Sequence, residues 1–334
     1  MRIVILGAGG LGSVVGGYLA NVGVEVTLIG RPAHVAAIRR GGLQITGLRG
    51  EFLIRENLTA VSSADEAIGN FDYLALAVKG KDTYTALEQA ASLRARTSTV
   101  LSLQNGVGHD DDLLRWAGAD KVLGASTIEG GTLLEPGKVA NGMTTPTTAY
   151  FGEIDGRPSA RAKDLTDAFN RAGLPSKCVN NIVQVQWEKL TQIATASGFS
   201  AVTLCGLDTL TMGDGLAVRE GAEHFVQLSK ELIAVYKAMG YTPQNFYAPV
   251  SRLKELDRMS FEEAIANVME LSRHLKGNAN RARTSMHNDV LQHRKTEVDF
   301  IFGPVIAKAR EVGVQIPTVM AVYRILKTLD AYFN

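Results

Sequence analysis

The sequence predicts an α/β chain, with an N-terminal Rossmann dinucleotide-binding domain followed by an all-α C-terminal domain. Three observations predict it. Short apolar runs alternate with amphipathic stretches through the first half, the rhythm of a mostly parallel sheet with helices on both faces. A glycine-rich turn joins the first apolar run to the first amphipathic stretch. After Pro175 the pattern turns almost wholly helical. A boundary is expected between residues 179 and 180, giving domains 1–179 and 180–334; 334 residues are enough for a core in each.

The first strand is Arg2-Ile3-Val4-Ile5-Leu6. Leu11, Val14, Val15, Tyr18, Leu19 and Val22 then recur at helical spacing, and Gly23 stops that helix. Val24 to Ile29, Phe71 to Val78, Thr99 to Leu103 and Lys121 to Ser126 read as further strands. Asp82 is the expected cap of a helix reaching Leu93. Pieces at Gln44–Thr46, Phe52–Ile54 and Thr147–Phe151 are expected to extend the same sheet. In the second half, Val183, Trp187, Leu190 and Ala194 form one helical stripe. Val218, Ala222, Phe225, Leu232 and Tyr236 form another. Val298, Ile301, Val305, Ala309 and Val312 form a third, ended by Gly313, and Thr318 to Phe333 is a last helix.

Composition narrows the function classes. About half the residues are apolar and the net charge is +1, with no basic stripe, so nucleic acid is not an expected partner. No apolar run approaches the ~18 residues of a membrane span. A first strand starting at Arg2 leaves no room for a signal peptide, and a cytoplasmic location is expected. Cys178 and Cys205 read as reduced, partly buried thiols. The six histidines (His34, His109, His224, His274, His287, His293) form no HxH or HxxxH pair, so no metal site is expected. Neither a G-x-S-x-G nor a P-loop pattern occurs.

Gly7-Ala8-Gly9-Gly10-Leu11-Gly12 is a G-x-G-x-x-G run between a strand and an amphipathic helix, the context in which such glycines hold a dinucleotide. Gly7 permits the tight turn, Gly9 lets the backbone approach a pyrophosphate, and Gly12 lets helix and strand pack closely. The helix start supplies free N–H groups. The second strand ends in Ile29-Gly30-Arg31 where an NAD enzyme usually carries an acid. Arg31 is suited to a 2′-phosphate, so NADP(H) is the expected cofactor. The alternative for Arg31 is a surface cation before a helix start at Pro32. Two further strand ends carry Lys79 and Asn105, each a candidate ligand contact or an ordinary solvated strand end.

These motifs, with Gln104-Asn105-Gly106-Val107-Gly108, Trp187-Glu188-Lys189-Leu190, Thr284-Ser285-Met286 and Thr296-Glu297-Val298-Asp299, occur in an order that resembles the ketopantoate reductase (2-dehydropantoate 2-reductase) family along nearly the whole chain. The resemblance implies NADPH-dependent reduction of a 2-oxo acid to a 2-hydroxy acid, with 2-dehydropantoate and pantothenate biosynthesis as its best guess. It implies Lys189 as catalytic acid and substrate contact, Glu297 as a catalytic group touching substrate or cofactor, and Ser285 as a substrate contact. It places Lys79, Asn105 and Gly130 beside the cofactor. By helical position alone Lys189 reads as a surface lysine between core positions. Thr296 is the expected N-cap, with Glu297 and Asp299 in the first turn.

The chain departs from the family pattern where asparagines stand. Ile193, Ser197-Gly198, Ala282 and Phe302-Gly303 take those places, and a further asparagine near Leu207-Asp208 is missing. Ile193 and Phe302 therefore predict a more apolar pocket, and a different carbonyl substrate is the second reading. Arg281 or Arg283 is either a substitute carboxylate contact or a solvated charge. A third reading is a non-catalytic NADP-binding or sensing protein. The helical half is a candidate homodimer face.

Overall fold

The computed structural model describes residues 1–276 and 283–333, and the chain divides into two compact units, Met1–Gln186 and Trp187–Asn334. The first unit runs β1 (Arg2–Leu6), α1 (Gly10–Asn21), β2 (Glu25–Ile29), α2 (Pro32–Gly41), β3 (Leu43–Gly47), β4 (Phe52–Ile54), β5 (Leu58–Val61), β6 (Phe71–Leu76), α3 (Thr83–Gln89), β7 (Thr97–Ser102), α4 (His109–Ala117), β8 (Gly124–Thr127), β9 (Gly131–Glu135), β10 (Lys138–Asn141), β11 (Ala149–Gly152), α5 (Ala160–Arg171) and β12 (Ser176–Cys178). Helix α6 (Ile182–Thr203) follows, and the division into units falls within it. Then come α7 (Met212–Leu216), α8 (Arg219–Ala238), α9 (Leu253–Arg258), α10 (Phe261–Lys276), α11 (Ser285–Leu291), α12 (Val298–Glu311) and α13 (Pro317–Asp330).

The main sheet has the order β5-β2-β1-β6-β7, parallel throughout. Its continuous apolar runs serve two faces, because side chains alternate along a strand. Ile3 and Ile5 enter one core with Val14, Val15 and Leu28, while Val4 and Leu6 enter another with Leu74, Leu87 and Leu113. Each such side chain contributes roughly 1.5–3 kcal/mol when fully buried.

Several expectations need correction. The pieces at 44–46, 52–54 and 147–151 do not extend the parallel sheet. The first two become β3 and β4 of a separate sheet, β4-β3-β10-β9, and the third becomes β11 of a small sheet, β12-β11-β8. Period and β-propensity mark a strand but not its partner. The strand expected from Lys121 begins only at Gly124, since Ala119–Lys121 is a 3-10 turn. Asp82 occupies the N-cap of α3, but its side chain makes no capping bond. Cys178 and Cys205 are exposed rather than partly buried.

In the second unit, α6 carries polar residues in buried positions by bonding them to its own backbone. Thr191 Oγ1 donates to the Trp187 carbonyl at 2.9 Å, and Thr195 Oγ1 to that of Thr191 at 2.9 Å. The buried Glu231 on α8 caps α13, accepting from Thr318 N–H at 3.1 Å and Val319 N–H at 3.0 Å. A carboxylate at a helix N-terminus satisfies free amides and meets the positive end of the helix dipole. No described helix is long and apolar enough to cross a membrane.

Candidate active site

The glycine turn lies between β1 and α1, at the point where strand order reverses between β1 and β6. Gly7 has φ +114°, and a Cβ there would sit 2.6 Å from Val78 N. Only glycine takes that conformation without strain. A Cβ on Gly12 would overlap the Gly7 carbonyl oxygen, so Gly12 is what lets helix and turn close together. A Cβ on Gly9 would meet nothing within 4 Å, which leaves its outer side open to a ligand. The N-cap is Gly9, with no side-chain cap, and the amides of Gly10, Leu11 and Gly12 have no acceptor among the described residues. A helix start with open amides and no side chain in front of them fits a dinucleotide pyrophosphate.

Surrounding side chains hold this cradle. His34, buried in α2, accepts from Gly137 N–H at Nδ1 (2.9 Å). Its proton therefore sits on Nε2, which donates to Ser13 Oγ at 3.0 Å. Burial pushes the His34 pKa down, which favours this neutral form. The bond ties the start of α2 to α1. Arg31 stands exposed at the N-cap of α2, and its guanidinium makes no hydrogen bond or ion pair among the described residues. Ala8 packs under Gly30, where a Cβ would come within 2.6 Å of the alanine Cβ.

Gly130 precedes β9, whose first residue, Gly131, presses its backbone on Gly10 so closely that a Cβ on either would overlap the other. The buried Glu129 fixes this corner by accepting from Arg49 Nη2 at 2.7 Å and from Asn141 Nδ2. Burial raises the Glu129 pKa and the Arg49 guanidinium opposes that rise.

Lys79 and Asn105 are both exposed, one beyond β6 and the other beyond β7. Gln104 is buried, and as the first residue of its sequence motif it carried no expected role of its own. Its Nε2 donates to the Val78 carbonyl at 2.9 Å and to Thr83 Oγ1 at 2.8 Å, and its Oε1 accepts from Ser102 Oγ at 3.0 Å. One amide thus staples the two strand ends. The only sequence signal was a polar residue ending an apolar strand. His109 Nε2 donates to the Asn105 carbonyl at 2.9 Å, which closes the turn from below.

The second unit holds the remaining candidates. Lys189 is only 5% exposed, which removes the surface-lysine reading. Burial pulls its pKa down to about 8, and the Glu297 carboxylate pushes it back up. Glu297 is itself the N-cap of α12, one residue later than the expected cap at Thr296. Its carbonyl accepts from Phe300 and Ile301 N–H at 3.0 and 3.1 Å. Thr296 Oγ1 still accepts from Val298 N–H at 3.3 Å while donating to Asp330 Oδ2 at 3.0 Å. Helix bounds shift by such single residues when side chains compete for the first amides.

Lys189, Ile193 and Ser200 recur along one face of α6. Ser200 Oγ bonds Thr284 Oγ1 at 2.8 Å, and Thr284 caps α11 by accepting from His287 N–H at 3.2 Å. Ser285, exposed at the first position of α11, is thereby anchored to the helix that carries Lys189. Next to Lys189, Glu188 is 1% exposed and accepts from Gln244 N–H (2.7 Å), Phe246 N–H (2.9 Å) and Tyr236 OH (3.2 Å). That carboxylate fixes the segment after α8, a role its place in a charged dipeptide did not show.

Phe302 does not line an apolar pocket. It is fully buried, and its ring fills the space over Gly198, where a Cβ would sit 2.8 Å from Phe302 Cζ. The two replacements compensate each other in the core. Arg283 donates to the Leu210 carbonyl at 3.3 Å and to that of Asp208, so it braces the segment before α7. Arg281 and Ala282 lie outside the described residues, as does the His274 side chain. Among the described residues no group of three His, Cys, Asp or Glu side chains could hold a metal ion.

Comparison with known proteins gives a consistent picture. The family model for ketopantoate reductase PanE/ApbA matches residues 3–156, and that for its C-terminal part matches residues 181–330. A 2-dehydropantoate 2-reductase of Pyrococcus horikoshii is 29% identical, covering 99% of this chain and 98% of that protein. The crystal structure of a PanE/ApbA family ketopantoate reductase from Ralstonia eutropha JMP134 shares the fold with a TM-score of 0.78 at 24% identity, covering 99% of each chain. A ternary structure of D-mandelate dehydrogenase with NADH and anilino(oxo)acetate shares it with a TM-score of 0.76 at 23% identity, again over 99% of each chain.

Proposed function

This chain belongs to the ketopantoate reductase PanE/ApbA family, and from that premise we propose that it reduces 2-dehydropantoate to pantoate with NADPH. One observation carries the reading: a buried lysine, Lys189, with the carboxylate of Glu297 opposing the fall of its pKa. Relatives 28–29% identical over almost their whole length are 2-dehydropantoate 2-reductases, which supports the substrate.

A bound reduced nicotinamide would supply a hydride for the ketone carbon of the substrate. The ketone oxygen gains negative charge in that step. Lys189 stabilises this charge as an ammonium and gives the oxygen its proton, leaving a neutral amine that water re-protonates. A pKa near 8 keeps the lysine charged at neutral pH yet makes it a better acid than an ordinary lysine. Glu297 holds the ammonium form ready, and Ser285 offers a hydroxyl to the substrate. The open amides at Gly10, Leu11 and Gly12 would take the pyrophosphate, and Arg31 would take the 2′-phosphate that selects NADPH over NADH.

The second reading, a rebuilt apolar pocket, loses Phe302 to the core. The deciding experiment follows NADPH absorbance with purified protein and 2-dehydropantoate beside a panel of other 2-oxo acids. Turnover of 2-dehydropantoate above the rest of the panel is expected. Preference for a bulkier 2-oxo acid would overturn the substrate, and no turnover of any acid despite NADPH binding would overturn the enzyme.

A further inference from the structure

Helices α1 and α2 each begin where the proposed cofactor would bind, and one side chain sets the two starts against each other. In α1 the open amides follow Gly9. In α2 the N-cap is Arg31, and His34 stands in the first turn. His34 is buried, as is Ser13 in the first turn of α1. The bond from His34 Nε2 to Ser13 Oγ at 3.0 Å is the one hydrogen bond between the two helices among the described residues. At its other ring nitrogen His34 accepts from Gly137 N–H at 2.9 Å, in the turn between β9 and β10.

The other contacts of α2 leave its start less closely fixed. Gly7 and Ala8 N–H donate to the Ile29 carbonyl at 3.1 and 2.8 Å, which holds the end of β2 but stops short of Arg31. Toward the far end of α2, Arg39 Nε donates to the Ala60 carbonyl at 2.8 Å. Val35 and Ile38 enter the core, but apolar packing is non-directional. Hydrogen bonds are directional, and the two that His34 makes remove the freedom of the helix to pivot between those anchors. The β9–β10 turn also bears on α2 directly, since a Cβ on Gly137 would lie 3.0 Å from the Ala37 Cβ.

In NADPH the 2′-phosphate and the pyrophosphate hang from one adenosine ribose, so the ligand sets the spacing between them. The protein must present Arg31 and the start of α1 at that spacing. Binding groups perform only when the residues behind them hold them to within about 0.5 Å. We propose that His34 is the positioning residue behind a preference for NADPH over NADH. By joining Ser13 to Gly137 it holds the start of α2 where Arg31 reaches the 2′-phosphate of a cofactor whose pyrophosphate rests on α1. His34 acts through Arg31 and not by touching the cofactor. The inference rests on the NADPH reading of the proposed function and adds to it the residue that places Arg31.

The test is a set of fluorescence titrations with NADPH and with NADH. His34→Asn sets a carbonyl oxygen near the place of Nδ1, so it keeps the Gly137 bond and loses the Ser13 bond. His34→Gln sets an amide N–H near the place of Nε2 and keeps the Ser13 bond. His34→Asn and Ser13→Ala are expected to lower the preference for NADPH by about three- to tenfold, with the NADH Kd moving less than about twofold. His34→Gln is expected to keep most of the preference. In an Arg31→Ala background His34→Asn should change the preference no further, because the two residues act as one unit. Circular dichroism identifies any variant that has not folded. An unchanged preference in folded His34→Asn and Ser13→Ala, equal weakening of both nucleotides, a His34→Gln protein no better than His34→Asn, or a further loss on top of Arg31→Ala would each overturn the positioning role while leaving the proposed function intact. Arg31→Ala without effect on the preference would overturn the 2′-phosphate contact, and this inference with it. A wild-type protein that binds neither nucleotide would instead overturn the proposed function itself.

Discussion

The glycine turn of the first unit and the Lys189 region of the second solve different problems by different means. The turn is made of backbone: Gly7 and Gly12 remove Cβ atoms where a strand end and a helix approach, Gly9 leaves open space on its outer side, and helix α1 leaves its first amides open. The Lys189 region is made of side chains held in a poor solvent for charge. Burial lowers the lysine pKa to about 8 while Glu297 limits the fall. A backbone site can be read from residue spacing, because the spacing is the site. A site whose chemistry comes from burial depends on everything packed around it.

The largest effect expected from breaking this contrast is on turnover. Lys189→Ala should lower kcat by about 100- to 10,000-fold while NADPH binding stays near wild type, as for loss of a general acid. Stopped-flow or steady-state kinetics beside a binding titration would show it, and near-normal kcat would remove the acid from Lys189.

Next comes the core reading of position 302. Phe302→Asn should destabilise the protein by about 3–5 kcal/mol, the loss of a buried aromatic plus a polar group left over Gly198. Denaturant unfolding measures that loss. If the asparagine raised activity on 2-dehydropantoate at no cost in stability, position 302 would belong to the substrate site instead.

A smaller effect belongs to the other region. Arg31→Ala should weaken NADPH binding by about 10- to 100-fold and NADH binding far less, since a charged hydrogen bond contributes about 1.5–3 kcal/mol. Equal weakening of both cofactors would return Arg31 to a plain surface cation.

The smallest effect is a shift of a pH profile. With a lysine acid of pKa about 8, kcat should be flat below that pH and fall as the ammonium loses its proton above it. The Glu297 charge favours the ammonium, so Glu297→Gln should lower the lysine pKa and move the falling limb to lower pH. A limb that stays in place would uncouple the two residues.

Much of the fold was legible beforehand because it follows from periodicity. Ile3, Val4, Ile5 and Leu6 alternate between two cores, and a run with no polar member states that both faces are covered. The pieces at 44–46 and 147–151 were legible as strands, yet nothing local says which sheet a strand joins. The helical position of Lys189 between Trp187 and Leu190 read as solvated, because a heptad-like count cannot see a helix surrounded on every side. Gln104 and Glu188 escaped for the same reason: a buried polar side chain is recognised by its partners, and those lie far along the chain.

By itself, then, the sequence determined the parallel sheet, the glycine turn and the helical second half, since each follows from spacing along a few adjacent residues. Only the tertiary structure decided the partition into three sheets, the burial of Lys189 and the turning of Phe302 onto Gly198. Those depend on which distant groups exclude water from one another, and exclusion of water is a property of the packed chain rather than of any segment of it.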